Sequence, residues 1–127
     1  MQKYNMTEIT LSLPLPPTIN HYWGFSGHRR FLTLQAREFK FLVAYKVSQQ
    51  KIRFGDSRLC FTVTLNFKDK RRQDISNRIK ALEDALVQAG LFDDDSQIDE
   101  EHIYRGEIIR EGKALVKISV IENKTEV

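Results

Sequence analysis

The sequence has a single cysteine, Cys60, so no disulfide can form within the chain. Phe61 and Val63 beside it predict a buried thiol within a strand, in keeping with a reducing, cytoplasmic setting. No apolar run is long enough to span a bilayer, and the amino terminus, MQKYNMTEIT, lacks the hydrophobic core of a secretion signal. These absences predict a soluble cytoplasmic protein with no membrane partner.

Histidine is also scarce, and the three histidines, His21, His28 and His102, lack the spacing of metal ligands. We therefore assign none of them to a metal. Repeats, low-complexity tracts and interdomain linkers are absent as well. A chain of 127 residues can build one core but not two independent ones, which predicts a single domain over 1–127.

Charge is present in both signs but is unevenly distributed. Six acidic residues lie between Asp93 and Glu101, and without them the rest of the chain would carry +9 instead of +3. Such segregation favours a polyanionic partner. An ordinary basic surface is the alternative, because a high isoelectric point alone discriminates poorly.

Hydrophobic periodicity predicts the order β-α-β-α-β-β, a small mixed sheet with two main helices, in the α/β (α+β) class. The first helix should begin after Thr33, and Gly90 should end the second, which Asp74 or Ser76 caps. We expect residues 18–31 to form a long surface loop, and 102–109 and 114–121 to pair as a hairpin. The strands Glu8–Leu13 and Leu59–Phe67 and the first-helix face Leu34, Phe39, Leu42, Val43 and Val47 should form the core.

The segment from Lys68 to Gln97 combines a basic run, an amphipathic helix and an acidic cluster. A metal-dependent nuclease needs this combination: cations attract the polyanion, while a divalent ion activates water and neutralises charge at phosphorus. Each part also has a plainer explanation. The basic run can be a solubilising strand end, the acidic run a solvated loop, and Asp74 a simple helix cap.

Two phrases in this segment, DISNRIKALEDAL and AGLFDDDSQI, resemble the RusA family of Holliday junction resolvases, and LPLPPTINHYW resembles the start of that family. The resemblance implies a RusA-like fold and a homodimeric, magnesium-dependent endonuclease, with Mn²⁺ as a candidate substitute ion. It also implies recognition of branched DNA at four-way junctions and paired symmetric nicks, in recombination and repair, that leave 5′-phosphate and 3′-hydroxyl ends.

Residue by residue, the resemblance assigns Asp74 and Asp95 as catalytic, metal-binding aspartates and Lys80 as the essential helix lysine. Ser76 stands where the family has another aspartate, and a serine hydroxyl carries no charge to compensate a cation. Another acid must then complete the metal site. Asp94 is the best candidate because it adjoins Asp95, with Glu83 and Glu107 as alternatives.

The expected DNA contacts are cations and one amide of the motif: Lys68, Lys70, Arg71, Arg72, Asn77, Arg29 and Arg30. The last two lie in a segment that also contains aromatic residues. Tyr22, Trp23 and Phe25 can stack on unpaired bases or wedge a junction open, or they can form a small satellite core. The sequence leaves both alternatives open.

A helix from Asp74 to Ala89 would span roughly 22 Å, whereas an extended link from Gly90 to Asp95 covers at most about 20 Å. Asp74 and Asp95 would then meet more easily between two antiparallel subunits, which predicts composite active sites. The change at Ser76 keeps two rivals open, a junction-binding protein that has lost cleavage and a less selective branched-DNA or flap nuclease. The sequence preference of cleavage and the origin of the chain, phage or host, are not encoded in these patterns.

Overall fold

In a computed structural model of the protein, residues 8–122 are described. The elements in this range are β1 (Glu8–Leu13), β2 (Trp23–Ser26), β3 (Arg29–Leu32), α1 (Leu34–Ser48), β4 (Leu59–Asn66), α2 (Ile79–Gln88), β5 (Ile98–Arg105) and β6 (Lys113–Val120). Short 3-10 helices cover Ile19–His21, Ile75–Arg78 and Asp95–Gln97. The predicted α/β (α+β) class, with a mixed sheet and two main helices, is confirmed. The prediction of one domain over 1–127 includes residues 1–7 and 123–127, which lie outside the described range.

Strand β4 lies inside the four-stranded sheet, whose order is β1-β6-β4-β5. Its alternating side chains Leu59, Phe61, Val63 and Leu65 are fully buried, as the period of two predicts. They share one hydrophobic core with residues of both α-helices, including Val43 of α1. The helices therefore cover one face of the sheet, and the opposite face carries the polar residues of β4.

The predicted hairpin between 102–109 and 114–121 is wrong. β5 pairs with β4 in parallel, whereas β6 pairs antiparallel with the other edge of β4 and with β1. Gly112, which lies between the two segments, is in a turn and has a φ of 77°. The reason is the crossover through α2: two strands joined by a helix return parallel, so β5 occupies one edge of β4 and β6 must take the other.

Strand β5 contains a bulge. Leu59 is opposite Ile98, but Cys60 is opposite Glu100, so Asp99 is an extra residue without a partner on β4. Ile98 and Ile103 are five residues apart and would face opposite sides of a regular strand. With the bulge, both pack against the core. Glu101 consequently faces α2, whereas Glu100 faces the helix-free side.

Helix α1 begins as predicted, because the Thr33 hydroxyl accepts a hydrogen bond from the Ala36 N–H at 3.2 Å. Its buried face is narrower than expected. Phe39, Val43 and Val47 are buried, but Leu34 and Leu42 are 63% and 43% exposed. The sheet and α2 cover only one stripe of the helix. Neither α-helix in residues 8–122 is long and apolar enough to cross a membrane.

Helix α2 is shorter than expected. A 3-10 turn covers Ile75–Arg78, and regular α-helix runs only from Ile79 to Gln88. Ile79, Leu82 and Leu86 are buried on one side of it, as the amphipathic pattern of this segment predicts. Gly90 has a φ of 85°, in agreement with its predicted place after the helix end.

The predicted surface loop over residues 18–31 is wrong in part, because it contains a hairpin made of β2 and β3. Gly27 has a φ of 63° in the two-residue turn, a conformation that glycine adopts without strain. At the base, Tyr22 is buried in a small cluster with Ala36 of α1 and Ala81 of α2. Phe25 near the tip is 71% exposed. The hairpin therefore has a packed base and a free end.

Candidate active site

Lys80 and Asp95 meet at the beginning of α2. The Lys80 ammonium donates to the Asp95 carboxylate at 2.6 Å and lies 3.6 Å from that of Asp84, one helical turn along. The hydrogen bond to Asp95 is the main cause that raises the pKa of Lys80, so the side chain stays cationic. Two of the residues assigned by resemblance are therefore brought together within one subunit.

Gln97 holds the acidic loop in place. This buried side chain accepts from the N–H groups of Asp93 and Asp94 at 3.0 and 2.9 Å. Its amide donates to the carbonyls of Gly55 and Ser57 at 2.8 and 2.6 Å. All four bonds of one buried amide are satisfied, which fixes the loop backbone directly before Asp95.

A pair of carboxyls lies next to Lys80 and Asp95. Glu83 of α2 is hydrogen-bonded to Glu101 on the inner face of β5. Burial, the bond to Glu101 and the nearby negative charges raise the pKa of Glu83 to about 9, so at neutral pH the Glu83 carboxyl is protonated and donates to Glu101. We call Lys80, Glu83, Asp95 and Glu101 the inner cluster.

Asp74 takes the N-cap position of the 3-10 helix, but its side chain accepts no capping hydrogen bond. Its carboxylate is exposed. The preceding residue is held firmly, because Arg105 donates to the Gln73 carbonyl at 2.7 Å and Arg78 donates to the Gln73 side chain. The plain capping explanation therefore does not account for this carboxylate, which is free to bind a ligand.

Asp94 has a structural contact of its own. Its carboxylate caps the 3-10 helix Asp95–Gln97 by accepting from the Ser96 N–H at 2.9 Å. Hydrogen bonds from Ser96 lower the pKa of Asp94. One oxygen is engaged in this bond, which leaves the other for a cation.

The carboxylates of Asp74, Asp94 and Asp95 are the hard oxygen ligands that Mg²⁺ prefers. Within residues 8–122, however, these three do not form a group whose ligand atoms all lie within 4.8 Å of one another. The donor chemistry fits Mg²⁺, while a single subunit does not gather the three carboxylates around one point. Glu83 and Glu101 are further carboxyls on the same side of the sheet as Asp95.

The span estimate behind composite active sites assumed a helix from Asp74 to Ala89 and an extended link from Gly90 to Asp95. Both assumptions are wrong. Regular α-helix begins only at Ile79, and the link from Gly90 folds back so that Asp95 contacts Lys80 in the first turn of α2. Asp95 thus returns toward the helix end that Asp74 precedes. Composite sites stay a prediction. A second subunit is less necessary to bring Asp74 and Asp95 together than the sequence suggested.

The predicted basic contacts partly gather in a cleft. Lys68, Arg71 and Arg72 line a cleft of about 590 Å³ that Pro14 and Pro17 also border. Lys70 is exposed but does not line the cleft. Arg71 also binds the Asp69 carboxylate at 3.0 Å, so part of its charge is compensated locally.

Arg29 and Arg30 lie on β3 of the hairpin, and both are exposed. The Arg30 guanidinium is 3.8 Å from the centre of the Trp23 ring, a cation–π contact that orients the arginine. Of the two earlier alternatives, the satellite core is confirmed for Tyr22, and base stacking stays a prediction for Phe25, whose side chain is exposed. Burial is the main cause that raises the pKa of the Tyr22 hydroxyl to about 12, and the nearby charges of Asp84, which raises it, and Lys80, which lowers it, show that Tyr22 adjoins the site.

Sequence reasoning missed Gln97 and Glu101. Gln97 was visible in principle, because Asp94 followed three residues later by glutamine is the pattern of a capping box. Asn77, by contrast, was assigned, and it lies half-buried in the 3-10 turn. Glu101 could not be found from the pattern, since its direction depends on the bulge at Asp99.

Known proteins resemble this chain along most of its length. The family described as Endodeoxyribonuclease RusA matches residues 14–121. A protein of Enterobacteria phage HK97 named crossover junction endodeoxyribonuclease rusA is 33% identical over 119 residues, which is 93% of this chain and 99% of that protein. Its namesake in Escherichia coli K12 is 24% identical over 120 residues, 94% of this chain and all of that protein. This protein therefore belongs to the RusA family of endodeoxyribonucleases.

Proposed function

We propose that this protein is a crossover junction endodeoxyribonuclease that hydrolyses phosphodiester bonds and resolves Holliday junctions. The observation that carries the proposal is the Lys80–Asp95 pair, fixed by Gln97 at the first turn of α2, in a chain of the RusA family. The pair combines a cation for phosphate with a carboxylate for a metal. Because the substrate is DNA undergoing recombination and repair, we place the activity in the cytoplasm.

We assign Mg²⁺, with Mn²⁺ as its substitute, to Asp74 and Asp95, and Asp94 as the third acid. When bound, the ion supplies charge neutralisation at the scissile phosphate and activation of water. Lys80 keeps at least one ammonium hydrogen beyond those directed at Asp95 and Asp84, and this donor stabilises negative charge on a phosphate oxygen. Gln97 positions the loop but does not contact the substrate.

The DNA contacts that we propose come from the basic cleft and from the hairpin. Lys68, Arg71 and Arg72 in the cleft bind backbone phosphates, with Lys70 and Asn77 extending that surface. On the hairpin, Arg29 and Arg30 add further contacts. Phe25, exposed at its free end, stacks on bases opened at the crossover point.

Paired nicks across a junction require two active sites, so we propose a homodimer. The support is an apolar face on α1, where Leu34, Phe41 and Tyr45 are 63%, 72% and 56% exposed. Arg37 and Glu38 flank this face and can pair with each other across a twofold axis. Charge substitution there, Phe41→Glu, should give monomers in light scattering and abolish paired nicking, whereas Arg110→Glu on another exposed segment should leave the dimer intact.

Incubation of a labelled four-way junction with and without Mg²⁺ tests the function. We expect symmetric nicks only with the ion, and their loss in Asp74→Asn. Flap and linear duplex substrates at the same fixed salt concentration separate a resolvase from a less selective nuclease. Nicking by Asp74→Asn at the wild-type rate would reject the assignment.

Ser76 favours a second function, junction binding without cleavage, because a carboxylate of the family motif is replaced by a neutral hydroxyl. The Ser76→Asp variant separates the two. A large gain from almost no activity would identify a binding protein that has lost catalysis. Robust nicking before the change would show that the acids already present are enough.

A further inference from the structure

The helix-free face of the sheet carries a second group of metal-ligand side chains. Cys60, Glu100 and His102 present a sulfur, an oxygen and a nitrogen atom that all lie within 4.8 Å of one another. The Cys60 Sγ is 3.7 Å from Glu100 Oε1, and His102 Nε2 is 3.5 Å from the same oxygen. The predicted burial of Cys60 is wrong, since the thiol is only half-buried and points away from the core.

The register of β4 and β5 creates this group. Cys60 is opposite Glu100, and Thr62 is opposite His102, so the three ligand residues occupy neighbouring positions on one face. Because of the extra residue at Asp99, Glu100 and His102, and not Glu101, lie on the same face as Cys60. Arg58 holds the bulge by donating to both Asp99 oxygens, at 3.1 and 3.0 Å from its Nε. The ladder between β4 and β5 and the Arg58–Asp99 bonds therefore hold the backbone that carries the three ligand residues.

Two of the three distances between ligand atoms are close to those around one metal ion, and the third, between the Cys60 sulfur and the His102 nitrogen, is within 4.8 Å. Tetrahedral zinc, with bonds of about 2.0 Å to nitrogen or oxygen and about 2.3 Å to sulfur, places ligand atoms roughly 3.3–3.5 Å apart. The two distances to Glu100 exceed this by only a few tenths of an ångström. A thiolate with an imidazole selects a borderline or soft cation, whereas Mg²⁺ takes oxygen ligands. The two side chains of the edge strand are about half exposed, so an ion has access.

We propose that Cys60, Glu100 and His102 bind a divalent transition metal of the zinc type, with solvent in the fourth position. Binding forms the metal–sulfur bond and releases the thiol proton to solvent. Neutral His102 supplies a nitrogen lone pair, and Glu100 supplies an ionised oxygen. The ion would link the edge strand β5 to the central strand β4.

The proposed site is separate from the inner cluster. Glu100 and His102 point to the helix-free face, whereas Glu101 between them points to Glu83 of α2. The metal proposed here can therefore be tested without reference to nuclease activity. It also requires a ligand chemistry that the carboxylates on the other face do not offer.

Cobalt is the first probe, because a thiolate bound to Co²⁺ gives a charge-transfer band in the near ultraviolet. The full chain is titrated with Co²⁺ under a phosphine reductant and excess Mg²⁺, which occupies carboxylate sites. We expect one ion per chain and the thiolate band. Cys60→Ser should lose the band, and His102→Gln should weaken binding by more than the roughly tenfold cost of losing an outer-shell partner. His28→Gln, which removes an exposed histidine elsewhere, is the matched control.

Zinc-dependent unfolding is the second measurement. Because the metal binds the folded chain, saturating Zn²⁺ should raise the Tm of the wild type and of His28→Gln, but not that of Cys60→Ser. Unfolding without metal establishes that each variant folds. Asp95→Asn should bind cobalt like the wild type, which distinguishes this site from the nuclease site. Absence of the thiolate band in the wild type, or its persistence in Cys60→Ser, would overturn the proposal.

Discussion

The two faces of β5 have opposite chemistry although the residues involved are neighbours in sequence. On the inner face, Glu101 bonds Glu83 close to Asp95 and Lys80. All the candidate metal ligands on this face are carboxyl oxygens. On the outer face, Glu100 lies between a thiol and an imidazole. Hard oxygen donors face the helices and softer donors face away from them. One strand thus offers two environments that favour different cations.

The inner face should be the one on which cleavage depends. Asp95→Asn keeps the size of the side chain but removes its charge, so we expect nicking of a four-way junction to fall roughly 10³-fold or more. Cobalt binding on the outer face should be unaffected. Rates under single-turnover conditions, with junction affinity measured in Ca²⁺, provide the check. Equal nicking by the variant and the wild type would separate Asp95 from the chemistry.

Lys80, the positively charged side chain of the inner cluster, should affect the cleavage rate more than the affinity for the junction. Lys80→Met retains the length of the chain but loses the donor aimed at the phosphate, and we expect about a 10²-fold slower cleavage step. Junction affinity at fixed salt should change little. Lys46, an exposed lysine in the last turn of α1, gives the matched control variant Lys46→Met. A purely structural role for Lys80 would lower the Tm without slowing cleavage by the folded fraction.

The protonated carboxyl of the inner cluster should make stability depend on pH. Folding raises the pKa of Glu83 from 4.5 to about 9, so the folded state retains a proton that the unfolded state releases. This contribution is fully present below about pH 4.5 and is lost as pH rises towards 9. Glu83→Gln should remove that part of the decline and raise the Tm by a few degrees at pH 8.

Thermal unfolding from pH 5 to 9 measures this effect. Glu101→Gln should also flatten the profile, because it removes the charge that Glu83 faces. The neighbouring change Glu100→Gln lies on the other face and should leave the profile as in the wild type. A flat wild-type profile over this range would show that Glu83 is ionised in the folded protein.

Local patterns of the sequence were sufficient for most of the fold. The alternation along β4, the Thr33 cap and Gly90 after α2 each depend on residues close together in the chain, and all three predictions are confirmed. The pairing of β5 depends instead on a crossover helix and on the competition for the two edges of β4. Turn residues at Gly112 indicated a reversal but not which strands would pair across it.

The site was predictable to a smaller extent. Resemblance assigned Lys80 and Asp95, which the structure brings together, while the roles of Asp74 and Asp94 in metal binding stay predictions. Glu101 and the outer group were not predicted, because their side-chain directions follow from one extra residue in β5. Cys60 and His102 are also about forty residues apart in the sequence, so no rule based on short ligand spacing could predict that they lie close together.

The unpaired Asp99 has a consequence for how such a sheet can change. Deletion of this one residue would make Ile98 and Glu100 consecutive, so β5 would become regular and every later residue would keep its present partner on β4. Glu100 and His102 would stay on the helix-free side, and Glu101 would stay towards Glu83. A single-codon loss at this position would thereby leave unchanged which donors each side presents, and it would remove only the carboxylate that Arg58 binds.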